Sequence, residues 1–221
     1  MTGNWAVVMP LKSLSRAKSR LTEATGDELR PALALAFAED TLAAMLECPA
    51  VAHVAVVTDD EEAGERLARM GARVVPDSPR RGLNAAVEHG VRTVRAGHPQ
   101  PDVAAINADL PALRSGELAR VLAAASEVPR SFLADAAGTG TTLLAALAGV
   151  DPAPGFGPAS RMRHRASGAV ELMPPDVESV RQDVDTGDDL LAALALGVGP
   201  RTAAGTHRLG AGFRRSAVSR S

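Results

Sequence analysis

Short apolar runs that stop at proline, aspartate or glycine alternate along the chain with longer alanine-rich stretches of helical period, and this alternation predicts strands and helices in turn. The run at 5–9, closed by Pro10, reads as a buried strand. Asp27 is placed to cap a helix to about 47, with Leu33, Phe37, Leu42, Met45 and Leu46 mostly on one side. Further strands are expected at 53–58, 72–75 and 102–107, and helices at 61–70, 83–95 and 117–125, the middle one closed by Gly97. Repeated strand–helix units predict a mainly parallel, Rossmann-like α/β sheet with helices on both faces.

The second half changes character. Strand candidates at 131–134, 141–146, 169–173 and 179–183 have less helix between them, so a mixed sheet with an antiparallel excursion is expected. The proline- and glycine-rich loop at 151–158 is a shaped connection suited to binding. From Pro200 onward there are five arginines, one histidine and no acid, with few apolar residues. The expected organisation is therefore one domain over 1–199 and a disordered basic tail over 200–221. No internal repeat is evident.

Composition narrows the function. Hydrophobic residues make up 46% of the 221 but aromatics only 2%, with no tyrosine, so Ala, Val and Leu must fill the core. The stacking platforms of single-strand nucleic-acid binders lack their raw material. A formal net charge of -2 gives no general attraction to nucleic acid or anionic lipid, which points to small partners. Cys48 stands alone, excluding an internal disulfide framework and a multi-cysteine zinc site. The first apolar run precedes the first basic residue and no stretch approaches membrane-spanning length, so a cytoplasmic protein is expected.

Ligands of open parallel sheets bind beyond the carboxyl ends of the strands, and four such places carry informative residues. After the first strand, Lys12, Arg16, Lys18 and Arg20 stand among small residues with no acid; such a run suits a triphosphate, or simply a solvated helix face. Asp109 ends an apolar strand and is followed by Leu110 and Pro111, which suits a hard divalent cation or a plain turn cap. In 183–190, strand alternation would put Asp183 and Asp185 on one face and Val184 in the core, and a cation between the carboxylates would relieve their repulsion. Thr186 or Asp188 can equally cap the last helix. The glycine pairs Gly138/Gly140 and Gly155/Gly157, with Thr141, Thr142 and Ser160, suit close approach to a phosphate or carboxylate, or else tight turns. His164, between Arg163 and Arg165, reads as part of a basic helix face. Neither a P-loop nor a nucleophile elbow is present.

Taken in order, five runs resemble the guanylyltransferases of coenzyme F-420 biosynthesis, which activate phosphoenolpyruvate or 2-phospho-L-lactate. They are Val7-Val8-Met9-Pro10-Leu11-Lys12 with Arg16-Ala17-Lys18-Ser19-Arg20-Leu21, Ala108-Asp109-Leu110-Pro111-Ala112-Leu113, Gly140-Thr141-Thr142, Phe156-Gly157-Pro158-Ala159-Ser160, and Asp183-Val184-Asp185-Thr186. The resemblance implies a fold like the nucleotide-diphospho-sugar transferases. It also implies GMP transfer from GTP to phosphoenolpyruvate, with 2-phospho-L-lactate as the alternative acceptor. Residue by residue, it implies magnesium on Asp109, Asp183 and Asp185, and the acceptor's carboxylate and phosphate on Thr142, Gly157 and Ser160. GTP would lie on Lys12, Arg16, Lys18 and Arg20, with Lys18, Arg20 and Asp109 catalytic, and Asn84 resembles the position that reads base or ribose. The product would pass to a downstream deazaflavin transferase. Two rivals remain: a molybdenum-cofactor guanylyltransferase, disfavoured because a basic run replaces the glycine-rich first loop, and a non-catalytic GTP-binding regulator.

Overall fold

The computed structural model describes residues 5–14, 21, 29–78, 80–97 and 101–207. In chain order these form β1 (Trp5–Pro10), α1 (Arg30–Leu46), β2 (Val51–Thr58), α2 (Glu61–Arg69), β3 (Arg73–Pro76), α3 (Leu83–Gly97), β4 (Asp102–Ile106) and α4 (Ser115–Ala125). There follow β5 (Arg130–Ala134), β6 (Thr141–Ala146), α5 (Ser160–Ala166), β7 (Val170–Glu171), α6 (Glu178–Arg181), α7 (Gly187–Leu196) and α8 (Pro200–His207).

The strands make one sheet in the order β3-β2-β1-β4-β6-β5-β7. Every pairing is parallel except those of β6, which runs antiparallel to β4 and β5. This is the expected α/β sheet with its antiparallel excursion. The order reverses at β1, which has β2 on one side and β4 on the other, and in open sheets the crevice beyond the carboxyl ends of strands at such a switch point is where ligands bind.

Two-residue alternation divides the core between the faces. Val7, Met9, Ala104 and Ile106 meet α1, α2 and α4 on one face, whereas Ala6, Val8, Val103 and Ala105 meet α3 on the other. Alanine-rich strands let α3 approach closely. A Cβ on Gly90 would stand 2.5 Å from Val8 Cγ1 and 2.8 Å from Val57 Cγ2, so glycine is required at that contact. A third cluster, which includes Phe37, Ala112, Val184 and Leu190, binds α1 and α7 to the segments that follow β4 and α6. Cys48 is buried, and burial pushes its thiol up.

Three expectations change. Residues 179–183 are not a strand: Glu178–Arg181 is a helical turn, with buried Val177, Val180 and Val184 at helical spacings. The backbone amide and hydroxyl of Ser179 both donate to Glu117 Oε2, at 2.9 and 2.7 Å, and anchor that turn on α4. Of 169–173 only two residues pair as strand, and Met173 is 86% exposed. The segment expected to begin a tail is helix α8 over Pro200–His207, because Asp40 of α1 accepts from the amides of Arg201 and Thr202 at 3.2 and 2.7 Å. Residues 208–221 lie outside the described residues, as does Asp27; α1 begins after Leu29 without a side-chain cap. Among the described residues no helix is long and apolar enough to cross a membrane.

Candidate active site

Parallel pairing of Val8 with Ala105 brings β1 and β4 to the crevice in step, so the segments carrying Lys12 and Asp109 leave the sheet side by side. Lys12 is exposed, while Arg16, Lys18 and Arg20 lie outside the described residues. The start of this segment is anchored by Asp60, which follows β2. Its Oδ2 accepts from the Leu14 amide at 2.9 Å, while its Oδ1 caps α2 through the Ala63 amide at 3.1 Å. Sequence reading missed Asp60, although an aspartate directly before a helix is a visible cap signal.

Asp109 is partly buried in a turn fixed by the fully buried Thr41 of α1, whose hydroxyl oxygen accepts from the Leu110 amide at 3.1 Å while its proton goes to Phe37 O at 2.7 Å. The Val184 amide donates to the Asp109 carbonyl oxygen at 3.1 Å, which joins two stretches 75 positions apart. Val184 points into the core, Asp183 is partly buried and Asp185 is exposed; the inward valine was expected, but coil rather than strand produces it. Thr186 and Asp189 form a reciprocal capping box on α7, so this part of the acidic run has a structural task. Among the described residues no group of three or more His, Cys, Asp or Glu is placed to hold a metal ion. Magnesium commonly uses one or two carboxylates with substrate phosphates and water, and the meeting of these stretches fits that open mode.

On the far side of Asp109, β6 begins. The register pairs Leu133 with Leu143 but Ala134 with Thr141, so Thr141 and Thr142 together face one residue of β5, a bulge at the strand entry. The Thr142 carbonyl accepts from the Asn107 amide at 3.0 Å, which ties the bulge to the end of β4. Thr142 is fully buried, and its hydroxyl has no hydrogen-bond partner among the described residues. The turn before it is closed by Asp135, whose two oxygens accept from the amides of Thr139 and Gly140 at 2.9 and 2.8 Å. A Cβ at Gly140 would lie 2.3 Å from Asp135 Oδ2, so this turn needs glycine. Arg181, donating to Ala134 O and Asp135 O, pins the hairpin to the segment leading into Asp183.

The 155–160 loop completes this side. Gly157 has φ of 112°, and Ala159, at φ 56° and ψ 32°, is a non-glycine residue in the left-handed region next to Ser160, which is 2% exposed. Such backbone is costly and persists where surroundings over-determine it. Asn84 is one of those surroundings: its amide nitrogen donates to Phe156 O at 3.2 Å and its oxygen accepts from the Phe156 amide at 2.8 Å. The residue expected near the base or ribose thus braces this loop. His164 is the other brace. Far from lying on a basic face, it is 1% exposed, and burial, with the charges of Arg163 and Arg130 nearby, pushes its imidazole down to about 4.

A switch-point crevice with two acidic stretches on one side and a glycine loop beside buried hydroxyls on the other suits two anionic substrates held together. Comparison with known proteins then decides the family: the model of the CofC-like guanylyl transferases matches residues 5–153.

The chain belongs to the CofC-like guanylyltransferase family.

It is 66% identical over 205 residues to a phosphoenolpyruvate guanylyltransferase of Streptomyces coelicolor, covering 93% of this chain and 97% of the relative. A Streptomyces avermitilis protein of the same name is 65% identical over 93% of this chain and 95% of its own. Among solved structures, a Desulfovibrio desulfuricans G20 protein assigned as a nucleotide-diphospho-sugar transferase superposes with a TM-score of 0.74 at 16% identity, covering 97% of this chain and 98% of that one. That likeness shows the fold. For a CofC-like member, the family match spans β1 through β6, including the segments that carry Lys12, Asp109 and Thr142 but not the 155–160 loop or Asp183 and Asp185.

Proposed function

We propose that this chain is a phosphoenolpyruvate guanylyltransferase. An oxygen of the acid's phosphate attacks the α-phosphorus of GTP, the bond from that phosphorus to the β-phosphate's bridging oxygen breaks, and diphosphate leaves. The product is enolpyruvyl-2-diphospho-5'-guanosine. The observation that carries this reading is the 66% and 65% identity, each over 93% of the chain, to enzymes bearing that name.

The site chemistry agrees. A phosphate monoester is already anionic at neutral pH, so its attack needs no general base, and positioning with charge neutralisation supplies the catalysis. Thr142, the Gly157 backbone and Ser160 hold the acceptor's carboxylate and phosphate. Lys12, with Arg16, Lys18 and Arg20 of the same segment, neutralises the triphosphate and the departing diphosphate. Asp109, Asp183 and Asp185 are the residues that would hold magnesium, which when bound lowers the repulsion between the two anions. The family resemblance further implies that the product enters coenzyme F-420 biosynthesis through a transferase acting on a deazaflavin.

The test is to supply GTP with phosphoenolpyruvate, 2-phospho-L-lactate or a molybdenum-cofactor precursor separately, with and without magnesium, and to identify products by mass spectrometry. The expected result is a guanylylated enolpyruvyl diphosphate with stoichiometric diphosphate. GTP binding without diphosphate release from any acid would make the chain a silent binder, and product from 2-phospho-L-lactate alone would reassign the acceptor.

A further inference from the structure

The residues that hold the acceptor come from two separate segments, the start of β6 and the loop leading into α5. One side chain hydrogen-bonds to both. The Gly155 amide can only donate, and it points at His164 Nε2 at 2.9 Å, so Nε2 is the acceptor and the ring proton lies on Nδ1. Nδ1 therefore donates to Thr141 Oγ1, also at 2.9 Å. The ring is clasped by Phe132 and Phe156, with centroids at 5.6 and 5.3 Å. Thr141 is half of the bulge that contains Thr142, Gly155 lies two residues before Gly157, and Ser160 is one helical turn ahead of His164 itself. A single neutral imidazole thus sets the spacing among all three acceptor positions. Asn84 holds the same loop from α3.

We propose that His164 is a positioning residue for the acceptor half of the site: its two ring nitrogens hold the β6 bulge and the Gly155–Gly157 loop at the separation that the acid's carboxylate and phosphate require. It touches neither substrate. The proposal rests on the acceptor assignment above and deepens it. A fixed tautomer with opposed donor and acceptor is a means of joining an N–H of one segment to a hydroxyl of another, which no aliphatic side chain can do. The signal was invisible in sequence, where His164 stands between two arginines.

The test measures KM for phosphoenolpyruvate and for GTP in the wild type, His164→Phe, His164→Gln and Thr141→Val. Phenylalanine fills the space between the aromatic rings without either hydrogen bond, so the acceptor KM should rise by on the order of a hundredfold while the GTP KM changes by less than about twofold. Glutamine reaches the Gly155 amide and should recover about tenfold of that loss. Thr141→Val removes only the β6 bond and should raise the acceptor KM by about tenfold with the fold intact, which keeps the idea testable if the histidine variants fail to fold. Equal rises in both KM values, or an unchanged acceptor KM in His164→Phe and Thr141→Val, would overturn the positioning role. Failure of the wild type to guanylylate phosphoenolpyruvate overturns the acceptor assignment instead, and this role with it.

Discussion

The backbone amide of Val184 donates to the carbonyl oxygen of Asp109 at 3.1 Å, so a main-chain bond ties the two acidic stretches together. Because it is made by main-chain atoms, it does not depend on the carboxylates of Asp109, Asp183 or Asp185. Replacing the carboxylates one at a time should therefore leave this bond in place.

Asp109→Asn keeps the size of the side chain and removes its charge. The expected outcome is a fall in kcat on the order of 10²-fold or more at unchanged melting temperature, read as diphosphate release with and without magnesium. Magnesium-dependent turnover near the wild-type level would remove Asp109 from the proposed metal set.

Ser160 is buried at the start of α5 and is assigned to the acceptor. Ser160→Ala should raise the KM for phosphoenolpyruvate by about tenfold and leave that for GTP within about twofold. Steady-state kinetics with each substrate varied in turn distinguishes this from an equal effect on both, which would mean that the acceptor lies elsewhere.

Acid stability should report His164. Its folded value, near 4, lies below the ordinary 6.5, so between those limits the unfolded chain binds the extra proton. The stabilisation is complete above about pH 6.5 and is lost as pH falls toward 4, by on the order of 3 kcal/mol. Chemical denaturation of wild type and His164→Phe across this range should show their difference shrinking on acidification. A constant difference would mean that the histidine is not held neutral.

Much of the fold was legible because the strands that build the crevice are apolar runs with a hard stop, as at Pro10 and after Ile106. Asp109 could be placed beyond β4 for the same reason, since it follows a strand whose end is marked. What was not legible depends on long-range partners. Valines 177, 180 and 184 carried a helical spacing that a strand reading of 179–183 overlooked, and the Glu117 carboxylate that fixes the turn is 62 positions from Ser179. The anchor of α8 likewise stands on α1, so a segment poor in apolar residues looked unheld. His164 was read from its immediate neighbours, whereas its surroundings are set by Gly155, Thr141 and two phenylalanines, and the bonds of Asn84 to Phe156 reach 72 positions along the chain.

Gly90 tests the packing of α3 on the sheet. Gly90→Ala would force a methyl group against Val8 and Val57, and should lower stability by about 1–3 kcal/mol despite the better helix propensity of alanine. Urea unfolding gives the value, and a stabilised variant would mean that α3 can lift off the sheet without cost.

Asp40 is expected to hold α8 in place. Asp40→Ala removes acceptors for the Arg201 and Thr202 amides and should cost about 1–2 kcal/mol, with limited proteolysis appearing near Gly197 to Gly199. An unchanged digestion pattern and melting temperature would show that side-chain packing alone retains the helix.

The reversed direction of β6 has a consequence for how specificity can vary. Its neighbours deliver residues to the crevice after their last paired position, whereas β6 delivers Thr141 and Thr142 as it enters the sheet. On the proposed assignment, acceptor contacts fall between the entry of β6 and the start of α5, whereas the nucleotide's cationic contacts follow β1. The two traits share a rim in space yet are separable along the gene, so either can drift or be redesigned while the other is left alone.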